Sequence, residues 1–153
     1  MDKHDPAALV EATNSLRELI LAAEYYRQVA SNAIQLGVSD SQAVSYLYSR
    51  GAMGQTSLGE LLGYNTGTMT VLVDRLERSG LAERTPHPTD RRRLIVGLTA
   101  SGRETVDRAS RPLGDAFEHI SPYQIRAVTT SLAAIAADMR DLAASKAVKN
   151  TLA

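Results

Sequence analysis

The chain has 153 residues, 44% hydrophobic and 22% charged, proportions that suit one ordinary domain with a buried core and argue against wholesale disorder. It contains no cysteine, which excludes disulfides, thiolate metal sites, cysteine nucleophiles and thiol redox sensing. Seventeen basic residues balance seventeen acidic ones, so net charge gives no overall sign of a polyanion partner.

The first segment places Leu9, Thr13, Leu16, Ile20, Ala23, Tyr26, Ala30 and Ala33 at steps of three and four, the helical period, and no glycine interrupts it before Gly37. A second helix is expected from Ser39, which forms a capping box with Gln42, to a stop at Gly51. The stretch Gly54 to Ser57 separates this pair from a short helix around Leu58 to Leu62. Gly63-Tyr64-Asn65 then makes a turn, and a longer helix runs from about Thr66 to Ser79. Met69, Leu72, Val73 and Leu76 share one face of it, and Gly80 ends it. Short helix, glycine-containing turn and second helix make a helix-turn-helix.

The period then changes. Leu81 to His87 and Leu94 to Leu98 read as two strands of a β-hairpin, with Arg91, Arg92 and Arg93 at its tip and returning edge. The hairpin is a wing. Positions 75–93 hold six arginines against Glu77, Glu83 and Asp90, a local excess that suits docking on a polyanion; the alternative is a solvated arginine-rich loop. Thr99 caps a fifth helix carrying Val106, Ala109, Leu113, Ala116, Phe117 and Ile120, which Pro112 should bend or break. Ser121-Pro122-Tyr123-Gln124 starts a last helix, whose Ile125, Val128, Leu132, Ile135, Met139 and Leu142 form a heptad seam. The expected fold is mainly α with a small β-hairpin wing, about six helices and two to three short strands in a single domain.

A helix reads base edges in the major groove, which is wide enough to admit it. Such a helix needs one face anchored in the core and an outward face of short side chains near its N-terminus. The Thr66 helix offers Thr66, Gly67, Thr70 and Val71 outward, with Thr68 at the margin and Asp74 or Arg75 one turn further. Hydroxyls bond phosphates or bases, methyls meet the thymine methyl, and the helix N-terminus attracts a phosphate. With no arginine or asparagine in the middle of this face, few bidentate base contacts and more reading of DNA shape are expected. A wing arginine beside such a helix is placed to enter the adjacent minor groove. The alternative for the threonines is a polar, solvated helix start.

The run Leu72-Val73-Asp74-Arg75-Leu76-Glu77-Arg78-Ser79-Gly80-Leu81-Ala82-Glu83-Arg84, then Pro86-His87-Pro88-Thr89-Asp90-Arg91-Arg92-Arg93 and Leu98-Thr99-Ala100-Ser101-Gly102, resembles the MarR family of bacterial transcriptional regulators. The match runs ungapped from about Met53 to Gly102, and the flanking helices follow the family's order. The resemblance implies a homodimer with a winged helix-turn-helix lobe over 39–102 and a helical dimerisation region from 1–36 and 103–144. It implies that Asn65 or Thr66 begins the recognition helix and that Thr66 to Val71 meet the major groove. Asp90 and Arg92 occupy the wing pattern, Arg92 being the expected minor-groove residue, and Asp74 matches a position that braces a wing arginine. The chain departs from the family in lacking a basic residue near Thr66 and Val71. Lacking cysteine, it also stands apart from the peroxide-sensing branch.

The dimer has separate support in the seam of the last helix, with Leu9, Leu16 and Ile20 of the first as its expected companions at the interface. The alternative is that the seam packs within its own chain. A two-fold dimer would set its recognition helices about 34 Å apart on a near-palindromic operator. The resemblance also implies a small aromatic or lipophilic ligand. Tyr25, Tyr26, Tyr46, Tyr48 and Arg50 are the candidate pocket, tyrosine giving an apolar wall with a polar handle and arginine a carboxylate partner; ordinary packing is the alternative.

An enzyme has little to draw on. His4, His87 and His119 come without HExxH, GxSxG, a phosphate-binding glycine loop or paired-histidine metal spacing, so no catalytic residue, metal or cofactor is expected. A winged helix used purely for protein interaction would need no cationic tip. No apolar run reaches about 18 residues and no basic-then-apolar leader opens the chain, so a cytoplasmic home without a membrane span is expected.

Overall fold

The computed structural model describes residues 5–90 and 92–151. The chain divides into two compact units, Met1–Arg111 and Pro112–Ala153. The first contains α1 (Pro6–Ala33), α2 (Val38–Arg50), β1 (Met53–Gly54), α3 (Gln55–Leu62), α4 (Thr66–Arg78), β2 (Ala82–Pro86), β3 (Leu94–Leu98) and α5 (Ala100–Ser110). The second contains α6 (Pro122–Thr151). Six helices and one small sheet among the described residues are the fold class that the periodicity predicts.

Helix α1 starts where Asp5 accepts the Ala7 N–H at 3.0 Å and Pro6 has no donor to leave unpaired. It stops before Gly37. Gln35 takes a left-handed φ of 55°, and the Leu36 N–H returns to the Ser31 carbonyl at 3.0 Å, closing the helix end without the glycine. Helix α2 corrects the expected start at Ser39. It begins at Val38 behind Gly37, with no side-chain cap. The Ser39 hydroxyl is instead 2.7 Å from the Tyr64 hydroxyl, tying α2 to the turn after α3.

The sheet is antiparallel in the order β1-β3-β2. The hairpin register runs from Ala82 opposite Leu98 to Pro86 opposite Leu94. β1 adds Met53 opposite Val96 and Gly54 opposite Ile95. Leu47 of α2, Leu58 of α3 and Met69, Leu72, Val73 and Leu76 of α4 are all buried, so the predicted inner face of the Thr66 helix is its inner face. This anchoring fixes the opposite face of α4 outward.

Gly80 ends the α4 turn at φ +70°. Thr99 caps α5 by accepting the Gly102 N–H at 2.9 Å and donates to the Gly80 carbonyl at 2.6 Å. At Gly102 a Cβ would lie 2.0 Å from the Leu81 carbonyl oxygen, so only glycine fits. Helix α5 ends at Ser110, and single 3-10 turns follow at Arg111–Leu113 and Asp115–Phe117. Pro112 breaks the helix as expected.

Helix α6 opens at Pro122, where Gln124 and Ile125 return N–H groups to the Ser121 carbonyl at 2.9 and 3.1 Å. Along it Ile125, Leu132, Ile135, Met139 and Leu142 are between 36% and 61% exposed, and Val128 is half-buried. On α1, Leu9 and Ile20 are exposed and Leu16 is half-buried. No described helix is long and apolar enough to cross a membrane, and the described residues contain no cluster suited to a metal ion.

Candidate nucleic-acid interface

Helix α4 begins at a capped end: the Asn65 side chain accepts the Thr68 N–H at 2.9 Å. Beyond the cap, Thr66, Gly67, Thr68, Thr70 and Val71 are all exposed, Val71 to 56%, although it is apolar. Small side chains on an anchored helix allow another surface to approach its backbone closely.

Two networks hold this helix. Arg75 grips Asp40 of α2 with Nε on Oδ2 at 3.1 Å and Nη2 on Oδ1 at 2.6 Å, a bidentate pair. The hydrogen bond to Asp40 raises the Arg75 pKa further above its ordinary value, so the charge is permanent. Arg75 was an expected DNA contact; the structure places it half-exposed and already paired.

The second network joins the wing to α4. From β2, Arg84 Nη1 donates to Asp74 Oδ1 at 2.8 Å and to the Glu77 carboxylate, while its backbone N–H donates to Glu77 Oε1 at 2.8 Å. Its Nη2 donates to Gln55 Oε1 at 3.1 Å. The Gln55 amide in turn donates to Thr70 Oγ1 at 2.9 Å, and the Thr70 hydroxyl donates to the Thr66 carbonyl at 3.0 Å. Asp74 thus braces an arginine of the wing strands, Arg84, and is itself half-buried.

At the wing tip, the His87 N–H donates to the Arg93 carbonyl at 2.8 Å and the Arg93 N–H to the Asp90 carbonyl at 2.9 Å. Asp90 Oδ1 accepts the Arg92 N–H at 3.2 Å, so Asp90 shapes the turn that presents Arg92. Arg92 and Arg93 are exposed and have no carboxylate partner among the described residues. Arg91, also an expected contact, and His4 lie outside the described residues.

Of the five candidate pocket residues, Tyr46 and Arg50 contact each other, and Tyr26 and Tyr48 both reach α5. Tyr25 is 74% exposed. Tyr26 donates to the Ala109 carbonyl at 2.6 Å, and Tyr48 to Asp107 Oδ1 at 2.6 Å. Arg50 stacks over the Tyr46 ring at 5.1 Å. On α1, one turn apart, Arg27 Nη1 and Ser31 Oγ are buried without a hydrogen-bond partner among the described residues. Periodicity does not single out these two, nor Asp40, Gln55, Glu77 and Arg84. The partners of the last four lie up to 35 residues away, and no local signal pairs them.

The MarR family model matches residues 42–94. The uncharacterized HTH-type transcriptional regulator YcgE of Bacillus subtilis is 38% identical over 105 residues, covering 68% of this chain and 68% of its own. The chain belongs to the MarR family. Its MarR fold is shared with a MarR family protein from Bacillus stearothermophilus, 20% identical, with a TM-score of 0.69 over 90% of this chain and 99% of the other. A mutant of S. aureus MepR, solved bound to an oligodeoxyribonucleotide, is 20% identical with a TM-score of 0.55 over 84% of this chain and 97% of the other. This MarR chain is therefore a winged helix-turn-helix transcriptional regulator and not an enzyme.

Proposed function

We propose that two copies of this chain clamp a near-palindromic operator, with α4 in the major groove and the wing in the flanking minor groove. The observation that carries this reading is the pairing, in one unit, of an exposed small-residue face at Thr66, Gly67, Thr68, Thr70 and Val71 with the exposed cations Arg92 and Arg93. Val71 supports it further, since an apolar side chain left open beside threonines and a glycine suits a base methyl better than water. Two of the arginines between positions 75 and 93, Arg75 and Arg84, are neutralised by carboxylates. The charge left for phosphates is carried by Arg78 at the end of α4 and by the wing tip, where Asp90 orders the backbone of Arg92. Arg91 belongs to the same proposed set on sequence grounds. The dimer rests on the exposed seam of α6 together with Leu9, Leu16 and Ile20, and the proposed setting is the bacterial cytoplasm.

Release by a small aromatic carboxylate completes the reading. Buried Arg27 Nη1 and Ser31 Oγ are the donors such an anion would satisfy, since unpartnered buried polar groups are uncommon.

A mobility shift on the duplex upstream of the protein's own gene, at low salt with unrelated competitor DNA, tests the core of this reading. Specific retardation is expected. Arg92→Ala should weaken binding about tenfold and lower the slope of log K against log salt by about one, because one phosphate is no longer neutralised and its counterion is no longer released. Unchanged affinity and slope would remove Arg92 from the interface. Titrating an aromatic carboxylate into the retarded complex should free the duplex.

A further inference from the structure

The chain of bonds from Arg84 to Thr66 fixes the direction of every hydrogen in it. A guanidinium only donates, so the Gln55 group facing Arg84 Nη2 at 3.1 Å must be its carbonyl oxygen. The amide nitrogen of Gln55 therefore faces Thr70 Oγ1 at 2.9 Å and occupies one acceptor site of that hydroxyl. The single Thr70 proton goes to the Thr66 carbonyl at 3.0 Å. A hydroxyl has one proton and two lone pairs, so Thr70 has no donor left. Thr70 is nevertheless exposed, and what it can still offer is a methyl group and one lone pair.

That inventory decides which base edges suit it. The guanine O6 and N7, the adenine N7, the thymine O4 and the phosphate oxygens are all acceptors and gain nothing from a hydroxyl whose proton is taken, which leaves the adenine and cytosine amino groups for the remaining lone pair and the thymine methyl for the methyl group; only the second is lost when thymine is replaced by uracil. The thymine C5-methyl is the major-groove feature that a methyl matches. We propose that Thr70 is a thymine-methyl reader and that Gln55, held by Arg84, is the positioning residue that makes it one. The inference rests on the placement of α4 in the major groove. It adds that a wing-strand arginine, itself paired with Asp74 and Glu77, sets the chemistry of a reading-helix residue.

The test compares two versions of the upstream duplex, one with thymine and one with deoxyuridine replacing it throughout, and measures the ratio of their dissociation constants. The wild-type protein should bind the uracil duplex about fourfold more weakly for each thymine methyl that Thr70 covers. Thr70→Val keeps a methyl and removes the hydroxyl, so it should retain that ratio; Thr70→Ser does the reverse and should reduce it. Gln55→Leu, which removes the donor, should also reduce it. A Gln55 with only a structural role would weaken both duplexes equally and leave the ratio unchanged, which overturns its part of the proposal. A wild-type protein that binds both duplexes alike, or a Thr70→Val that loses binding while Thr70→Ser keeps it, overturns the methyl reading. Absence of binding to the thymine duplex by the wild type would defeat the underlying major-groove placement as well. Circular dichroism of each variant verifies that the helices persist.

Discussion

Residues 43–106 contain every buried hydrophobic side chain among the described residues, whereas α6 repeats an apolar residue every three or four positions and buries none of them. Both regions space apolar residues at the helical period. In the first, four residues of α4 meet Leu47, Leu58, Val96 and Leu98 from other elements of the same unit, and the stripe closes on its own chain. In the second, Leu132, Ile135, Met139 and Leu142 remain open to solvent. Periodicity establishes that a helix has an apolar face, and only tertiary packing tells what covers it. The difference separates a unit whose apolar faces close on one another from a helix whose apolar face is left exposed, the face that the proposed dimer would cover.

The contrast can be broken from the α6 side. Leu132→Asp places a carboxylate in the seam of each protomer. In the proposed dimer that carboxylate would be buried without a partner in place of apolar contact, and association should weaken at least tenfold. Sedimentation should show the monomer mass while the lobe still melts cooperatively; a dimer of native mass would show that the seam is not the interface. From the lobe side, Gly102→Ala forces a methyl against the Leu81 carbonyl oxygen and should cost about 3 kcal/mol of lobe stability in denaturant titration. Melting like the wild type would mean that α5 can shift away from the turn.

The smallest effect sharpens the comparison at the lobe's edge. Tyr48 donates to Asp107 at 2.6 Å, and that hydrogen bond, with the carboxylate charge, raises the Tyr48 pKa from its ordinary 10.0. A folded pKa above the unfolded one contributes stability that is complete below pH 10.0 and lost as pH climbs through the folded value. Tyr48→Phe should therefore be slightly less stable than wild type below that pH, with the gap closing above it. A gap that persists into strong alkali would show that the ring, not the hydrogen bond, matters there.

What the sequence makes legible is local. Thr99, Gly80, Pro112 and Ser121-Pro122 act on backbone groups within a few residues, so the boundaries they set can be read along the chain. The outward face of α4 is legible for the same reason: four buried positions at helical spacing leave the others outward. Other features depend on distant partners. β1 is two residues long and exists through pairing with β3, far along the chain, leaving no alternation to read. Ser39 has the composition and spacing of a cap, yet the Tyr64 hydroxyl takes it. Among the arginines, charge density marks the segment and cannot rank its members. Asp40, Asp74 and Glu77 decide that Arg75 and Arg84 are internal braces, and these pairings appear only in three dimensions.

The missing side chain at Gly102 has a mechanical consequence. The Leu81 carbonyl accepts the Thr99 N–H at 3.1 Å on one side and has the Gly102 backbone against it on the other, so the root of the hairpin and the first turn of α5 form a joint without slack. A joint of this kind transmits displacement instead of absorbing it. The start of α5 and the root of the wing hairpin are therefore held against each other at a single carbonyl, and a side chain at position 102 would pry them apart.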